Sequence, residues 1–364
     1  MKKAILTNIA LLCVTLVVMF FAFEFALRLV YPMGMECTYY DPVMGYELIP
    51  NWEGWQRNPQ FLVNEYVYTR KFNSLGYNDY EPDLEKLKGE HVIVAIGDSF
   101  TYGSGVIMEN TWPKVLERSL KQEKPSSVIN MGVGSYSLDT YFKSLKYKSE
   151  QFSPDMAIIA FYMGNDINDQ HLYANLDGNL VEKYEPEHDT KMKLRRWLLR
   201  NSHAWSFTLR AIDQTLIGDF LRDKGIFFQR QLPLQADHKA YDKRIEKSSL
   251  ILDAFKEEAE KRNIDLLFVI VPFREQVDDR KYNELYGNIN TTIGRWEFQQ
   301  NVTALLDQKN ITYINLLPKL REVNQNNSLY YEYDGHFRKK GYELMGNIIA
   351  DYLISEPENN TSEV

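Results

Sequence analysis

The run His91-Val-Ile-Val-Ala-Ile-Gly-Asp-Ser-Phe100 decides the fold. Val92 to Ile96 are five consecutive apolar residues, four of them β-branched, and the run stops at a Gly-Asp turn signal. With no polar alternate, a strand made from them buries both faces, which happens in parallel sheets covered by helices on each side. Four further runs of this kind follow: SSVIN (126–130), DMAIIAFY (155–162), IDLLFVIVP (264–272) and ITYIN (311–315). Amphipathic stretches separate them. TWPKVLERSLKQ has Thr111 in the N-cap place and Pro113 in its first turn, and YDKRIEKSSLILDAFKEEAEKRN carries apolar residues at three-and-four spacing. An amphipathic helix over 339–354 closes the series. Strands alternating with helices make the fold class α/β with a parallel sheet.

Toward the amino terminus, Lys2 and Lys3 precede an uncharged apolar run over residues 4–23. About 20 such residues cross a hydrocarbon core of ~30 Å. No small-x-small cleavage site follows, because the run passes directly into EFALRLVYP, so residues 1–31 are expected to be an uncleaved transmembrane anchor. The positive-inside rule puts the amino terminus in the cytoplasm and the rest in the periplasm or outside the cell, as a single-pass membrane protein. Cys13 lies inside this run, so a disulfide with Cys37 is not expected. Residues 32–88 are rich in Tyr, Trp, Asn, Gly and Pro with alternating pieces such as FLVNEYVYTRKF, and read as a small β-rich extension. The main domain is expected over 89–355. An insertion at 166–241 without a clear buried strand holds a basic, aromatic helical segment (191–222). Three readings stand for it: a lid, a face lying on the membrane through Trp197 and Trp205, or a cap packed on the domain with its charges solvated. The polar tail 356–364 is expected to be disordered. A formal charge of -8 excludes a nucleic-acid partner, and 44% hydrophobic residues exclude a disordered chain.

In a parallel sheet, reactive groups sit just past the carboxyl ends of the strands, where helices begin and backbone N–H groups point outward. Ser99 stands in that place. The second strand ends in Asn130-Met131-Gly132-Val133-Gly134-Ser135-Tyr136, and the third in Met163-Gly164-Asn165-Asp166. Tyr333-Asp334-Gly335-His336-Phe337 lies just before the closing helix. Each piece alone has a structural reading, as a turn, a helix cap or a loop histidine. Their joint occurrence, in chain order at strand ends, points to chemistry. The other histidines (His91, His171, His188, His203, His238) are scattered without two-ligand spacing, and neither a metal nor a cofactor is expected.

The blocks GDSF, the glycine loop 130–136, GND at 164–166 and DGH at 334–336 together resemble the SGNH/GDSL hydrolases over residues 90 to 354. The resemblance implies a flavodoxin-like three-layer α/β/α fold and acyl-ester chemistry. Ser99 would be the nucleophile, His336 its base and Asp334 the acid that orients the base. The oxyanion would meet the backbone N–H groups of Ser99 and Ser135 and the amide of Asn165. Two departures stand out. Ser135 occupies a position where the family often has glycine, with Gly134 as the alternative donor, and Asp334 is two residues before His336 instead of three, with Asp307 as a remote alternative. The substrate expected is an acylated small molecule or glycan, losing an acyl group such as acetyl outside the cytoplasm. Alternatives are a polysaccharide O-acyltransferase component with a membrane-bound acyltransferase partner, a lipase or lysophospholipase, and a non-catalytic binding protein.

Overall fold

The structure, a computed structural model, describes residues 2–60, 62–167, 172–174, 180–182, 190–223, 233–235, 238–289, 291–324 and 328–355. The tail 356–364, expected to be disordered, lies outside them, as do His171 and His188. In chain order the elements that matter begin with helix α1 (Lys2–Val30), strand β1 (His91–Gly97), helices α2 (Ser99–Tyr102) and α3 (Trp112–Leu120), and strand β2 (Ser126–Asn130). Helix α4 (Leu138–Lys143) and strand β3 (Met156–Tyr162) follow. Next come helices α5 (Thr190–Asn201), α6 (His203–Asp213), α7 (Leu216–Asp223) and α8 (His238–Arg262). Strand β4 (Asp265–Val271), helix α9 (Glu297–Gln308), strand β5 (Tyr313–Asn315) and helix α10 (Lys339–Ser355) complete the set.

The chain forms two compact units that interleave in sequence: one around α1 (1–37, 53–70 and 187–230), called the anchor unit after the expectation for that helix, and a sheet unit (38–52, 71–186 and 231–364). The region 32–88, expected as one β-rich extension, is shared between them. Hairpin Thr38–Asp41/Gly45–Leu48 belongs to the sheet unit. Residues 53–70 belong to the anchor unit because their polar groups are satisfied there: Arg57 Nε donates to Pro32 O at 2.8 Å and Met35 N to Trp55 O at 3.0 Å. The insertion is divided in the same way, with α5, α6 and α7 in the anchor unit. Its first part also holds a short antiparallel ladder, Leu172–Ala174 with Leu180–Glu182, whose three-residue strands are too short to register as a sequence pattern.

All five runs read as buried strands form one sheet, ordered β5-β4-β3-β1-β2, with every pair parallel. In strand numbers this is 2-1-3-4-5, the flavodoxin-like order, whose switch point lies between β1 and β3. Alternate residues of each strand serve opposite layers. Ile93, Ala95, Val128, Ile158 and Val269 share one buried cluster with Trp112 and Leu116 of α3 and Met345 and Ile349 of α10. On the other face Phe268 meets Phe255 of α8, which meets Phe142 of α4, with ring centroids 5.5 Å apart at each step. The sheet is therefore covered on both sides, as its unbroken apolar runs require.

Helix α3 begins where expected, but Thr111 does not cap it with its side chain. The hydroxyl donates instead to Met108 O at 2.8 Å, and the preceding short turn takes the bond.

One buried ion pair ties α3 to the end of β2. Lys114 Nζ lies 2.6 Å from Asp79 Oδ1 and donates to Glu117 Oε2 at 2.8 Å and Val128 O at 2.7 Å. Asp79 Oδ2 accepts from Asn130 N at 2.7 Å. Removing the ammonium leaves Asp79 buried without its counter-charge, which costs about 3–5 kcal/mol. Lys114→Met is expected to lower the thermal midpoint of the detergent-solubilised protein by roughly 10 °C, taking ~2–4 °C per kcal/mol for a domain of this size. An unchanged midpoint by intrinsic fluorescence would remove this pair from the determinants of stability.

Candidate active site

Strand β1 delivers Ser99 to the switch point. Asp98 is the N-cap of α2, its carboxylate accepting from Phe100 N at 2.8 Å, and Gly103 (φ 85°) ends the helix in the left-handed region with its N–H on Ser99 O. The approach is tight on two sides. A Cβ at Gly97 would lie 2.0 Å from Thr101 Oγ1, and one at Gly132 would lie 2.2 Å from Tyr102 N and 2.5 Å from Thr101 C. The loop after β2 is thus pressed against the backbone of the helix that begins at Ser99.

His336 reaches Ser99 from the loop before α10. His336 Nε2 is 2.8 Å from Ser99 Oγ, and Nδ1 is 2.9 Å from Asp334 Oδ2. Gly335 between them has φ 83°, which turns the carboxylate back onto the ring. The loop is held from several directions. Tyr331 N donates to His336 O at 2.8 Å, and Arg274 Nη1 donates to the carbonyls of Tyr331 and Glu332 at 3.3 and 2.6 Å. Phe100 backs the imidazole with ring centroids 5.1 Å apart. Asp307, the alternative acid, sits on α9 and accepts a hydrogen bond from Tyr313 instead.

The Asp334 side chain is 2% exposed and that of His336 24%. Burial disfavours the imidazolium, but the charge and hydrogen bond of Asp334, with the charge of Asp98 behind them, outweigh it and hold His336 above its ordinary value. Asp98 is itself buried, and burial pushes its carboxyl up to about 6 against the hydrogen bonds it accepts. Its Oδ2 is 3.3 Å from Ser99 Oγ, so the serine hydroxyl has two acceptors in reach and the imidazole is the nearer.

The second block is a largely buried loop with Ser135 exposed in it, and Ser135 has φ 62°. Left-handed backbone costs a non-glycine residue roughly 1–2 kcal/mol. The neighbours on each side hold it there: Tyr46 Oη donates to Gly134 O at 3.0 Å, and Tyr136 Oη donates to Tyr46 O at 2.6 Å. Asn165 lies in the turn after β3. Asp166 fixes that turn by accepting from Tyr162 N at 2.7 Å and Tyr141 Oη at 2.9 Å. Asn165 Oδ1 is buried with no hydrogen-bond partner among the described residues. Ser99 and Asn165 follow β1 and β3, the two strands that flank the switch point, where open α/β sheets bind ligands.

His203 and His91 have other partners. His203 Nδ1 accepts from Met33 N at 2.8 Å in the anchor unit, and His91 Nδ1 lies 3.5 Å from Asp155 Oδ2 at the start of β1. A cavity of about 530 Å³ in the anchor unit, walled by Arg57, Arg195, Arg210, Glu36 and Asp213 among others, holds none of the residues singled out by sequence.

A serine, an imidazole and a carboxylate in hydrogen-bonded series at the switch point of a parallel sheet is the arrangement of a serine hydrolase. The chain belongs to the GDSL-like lipase/acylhydrolase family, whose model matches residues 93–349. Similar solved structures include a lipolytic protein of the G-D-S-L family from Desulfitobacterium hafniense DCB-2 (18% identity, 72% of this chain and 99% of that one, TM-score 0.40). A lipase/acylhydrolase from Enterococcus faecalis (16%, 74% and 100%, TM-score 0.40) and an acetyl xylan esterase (12%, 72% and 99%, TM-score 0.41) are also similar. No curated protein matches the chain. Sequence reasoning gave no role to Asp98, Tyr46 or Phe100. Asp98 and Phe100 were in plain view beside Ser99, whereas Tyr46 had no local signal.

The loop geometry separates two glycine-related substitutions. Ser135→Gly is expected to keep ester turnover, because the backbone N–H is retained, and to leave the thermal midpoint equal or raised by no more than about 1 kcal/mol of stability. Gly132→Ala is expected to lower both, since the atoms in its way are backbone. Scanning fluorimetry with p-nitrophenyl acetate turnover checks the pair, and a harmless Gly132→Ala would contradict the close approach.

Proposed function

We propose that Ser99, His336 and Asp334 hydrolyse an ester through an acyl-enzyme, and that the substrate is a carbohydrate or related molecule carrying a small acyl group such as acetyl. The reading rests on the series Asp334 Oδ2, His336 Nδ1, His336 Nε2 and Ser99 Oγ, with contacts of 2.9 and 2.8 Å. As Ser99 Oγ attacks the carbonyl carbon, His336 Nε2 takes its proton, and Asp334 stabilises the imidazolium. The oxygen that becomes negative meets the N–H groups of Ser99 and Ser135, or of Gly134, and the amide of Asn165. Each such donor is worth about 3–4 kcal/mol in the transition state. The imidazolium then protonates the departing alcohol, and the same base activates water to release the acid.

The sugar reading draws on Tyr333, an exposed aromatic ring beside Asp334 that a pyranose can stack against. The location outside the cytoplasm draws on α1. Its span Lys3–Val30 is long and apolar enough to cross a membrane, and every residue of it from Lys3 to Phe23 is exposed, which a core helix of a soluble protein would not be. With Lys2 and Lys3 at its head, the amino terminus stays in the cytoplasm.

Ser99→Ala and His336→Ala are each expected to abolish release of acetate from acetylated oligosaccharides and formation of an acyl-enzyme detectable by mass spectrometry. Turnover that survives either change would refute the serine mechanism. Because the base must be unprotonated to act, and Asp334 holds His336 above ~6.5, the acid limb of kcat/KM is expected to have its midpoint above that value. Asp334→Asn removes the charge that holds it up, so the midpoint should move to lower pH while the plateau rate falls. A midpoint that stays in place in Asp334→Asn would mean that Asp334 is not the partner of the base.

A further inference from the structure

The strongest unexplained feature outside the hydrolase site is the junction between the end of α1 and the helices α5 to α7, all within the anchor unit. One turn of α1 serves two helix ends at once. Glu24 accepts from His203 N at 3.0 Å, Ala204 N at 2.7 Å and Ser202 Oγ at 2.9 Å, filling the amino terminus of α6 with a negative charge. Arg28 donates to Asn201 O at 2.8 Å, placing a positive charge on the carboxyl terminus of α5, and is paired with Glu24 at 2.8 Å. Both charges have the sign that the helix dipoles favour. Met33 N donates to His203 Nδ1, and Phe207 of α6 meets Phe23 and Tyr31 edge-on at 5.5 and 6.0 Å. Helices read from residues some 175 positions away are thus fixed to the point where the apolar helix ends.

Held there, α5 and α7 expose side chains that water does not favour. Leu194 and Trp197, one helical turn apart on α5, are 57% and 58% exposed, and Leu216, Ile217 and Phe220 on α7 are 86%, 61% and 57% exposed. Between Thr190 and Asp223 the sequence carries seven Lys or Arg against three Asp, in a chain of net charge -8. Apolar side chains with an interfacial tryptophan, embedded in a basic segment, match the boundary of a phospholipid layer, where rings and aliphatic groups enter the acyl edge and cations meet phosphate.

We propose that the anchor unit seats on the bilayer that α1 enters, with the exposed apolar side chains of α5 and α7 in the interfacial layer and the exposed Arg195 of α5 at the headgroup phosphates. The inference rests on α1 being a membrane anchor and is independent of the ester chemistry. It gives α5 to α7 the work of a collar that fixes how the chain leaves the membrane, in place of a lid or a solvated cap.

Spin labels test it in the full chain. In a Cys13→Ser, Cys37→Ser background, labels are placed singly at Trp197→Cys, Ile217→Cys and Phe220→Cys, at Val17→Cys within α1, and at Lys319→Cys on the sheet unit. The labelled chain is reconstituted in nanodiscs of phosphatidylglycerol and phosphatidylethanolamine. Labels at 17, 197, 217 and 220 are expected to collide several-fold more with oxygen than with a water-soluble nickel chelate, and the label at 319 the reverse. If position 17 prefers oxygen while 197, 217 and 220 prefer nickel, α1 is inserted and the collar is wrong. If position 17 prefers nickel, the anchor reading fails and the collar with it. Labels at 197, 217 and 220 shielded from both reagents would mean that protein covers this face, a second copy or another chain, and would equally overturn the proposal.

Discussion

The hydrogen bond between Ser99 Oγ and His336 Nε2 joins residues 237 apart in sequence, and the site exists only if the end of the chain closes on its first buried strand. That closure is built into helix α10 and the segment before it. A Cβ at Gly346 would lie 2.7 Å from Val115 Cβ and 2.9 Å from Trp112 O, so α10 lies directly on α3. Tyr342 Oη donates to Ser104 O and Tyr331 Oη to Gly105 O, at 2.9 and 2.7 Å. These two tyrosines take hold of the residues immediately after α2, the helix that Ser99 begins. Ser99 and His336 are therefore located against the same short piece of backbone, which is how residues from opposite ends of a fold keep hydrogen-bond geometry.

The sheet was legible because its strands are buried on both faces, a condition that leaves a continuous apolar run in the sequence. The four blocks were legible for a related reason, since each falls where such a run ends. Parts of the structure that depend on distant partners left no such trace. Residues 53–70 look like any hairpin-rich segment, and it takes distant bonds such as Arg57 to Pro32 O and Met35 N to Trp55 O to assign them to the anchor unit. Glu24 reads as the first charge after an apolar run, and nothing near it in sequence says that it caps a helix 178 to 180 residues away. Ser135 shows the same limit at the scale of one residue. Its left-handed backbone is set by Tyr46, which the glycine pattern of the loop does not mention.

The electrostatics of the site follow from which carboxylates are buried near one imidazole. Asp334 binds Nδ1 directly, while Asp98, one residue from Ser99, adds its charge. Both favour the imidazolium, the species that the proposed mechanism forms at His336, so the surroundings suit that charged species. Burial of the ring acts in the opposite sense. The balance lifts His336 above its free value, because the charge and hydrogen bond of Asp334 and the charge of Asp98 outweigh the burial of the ring.

The two-residue spacing of Asp334 and His336 is a backbone problem before it is a chemical one. In an extended strand, residues i and i+2 project to the same side but run parallel, which separates a carboxylate from a ring nitrogen instead of joining them. A left-handed residue between them curls the chain so that the two side chains converge, and Gly335, with φ 83° and open space where a Cβ would sit, can adopt that conformation without penalty. The shortened motif therefore needs its glycine. Steric room alone would admit alanine at this position, and the dihedral is what would make it costly.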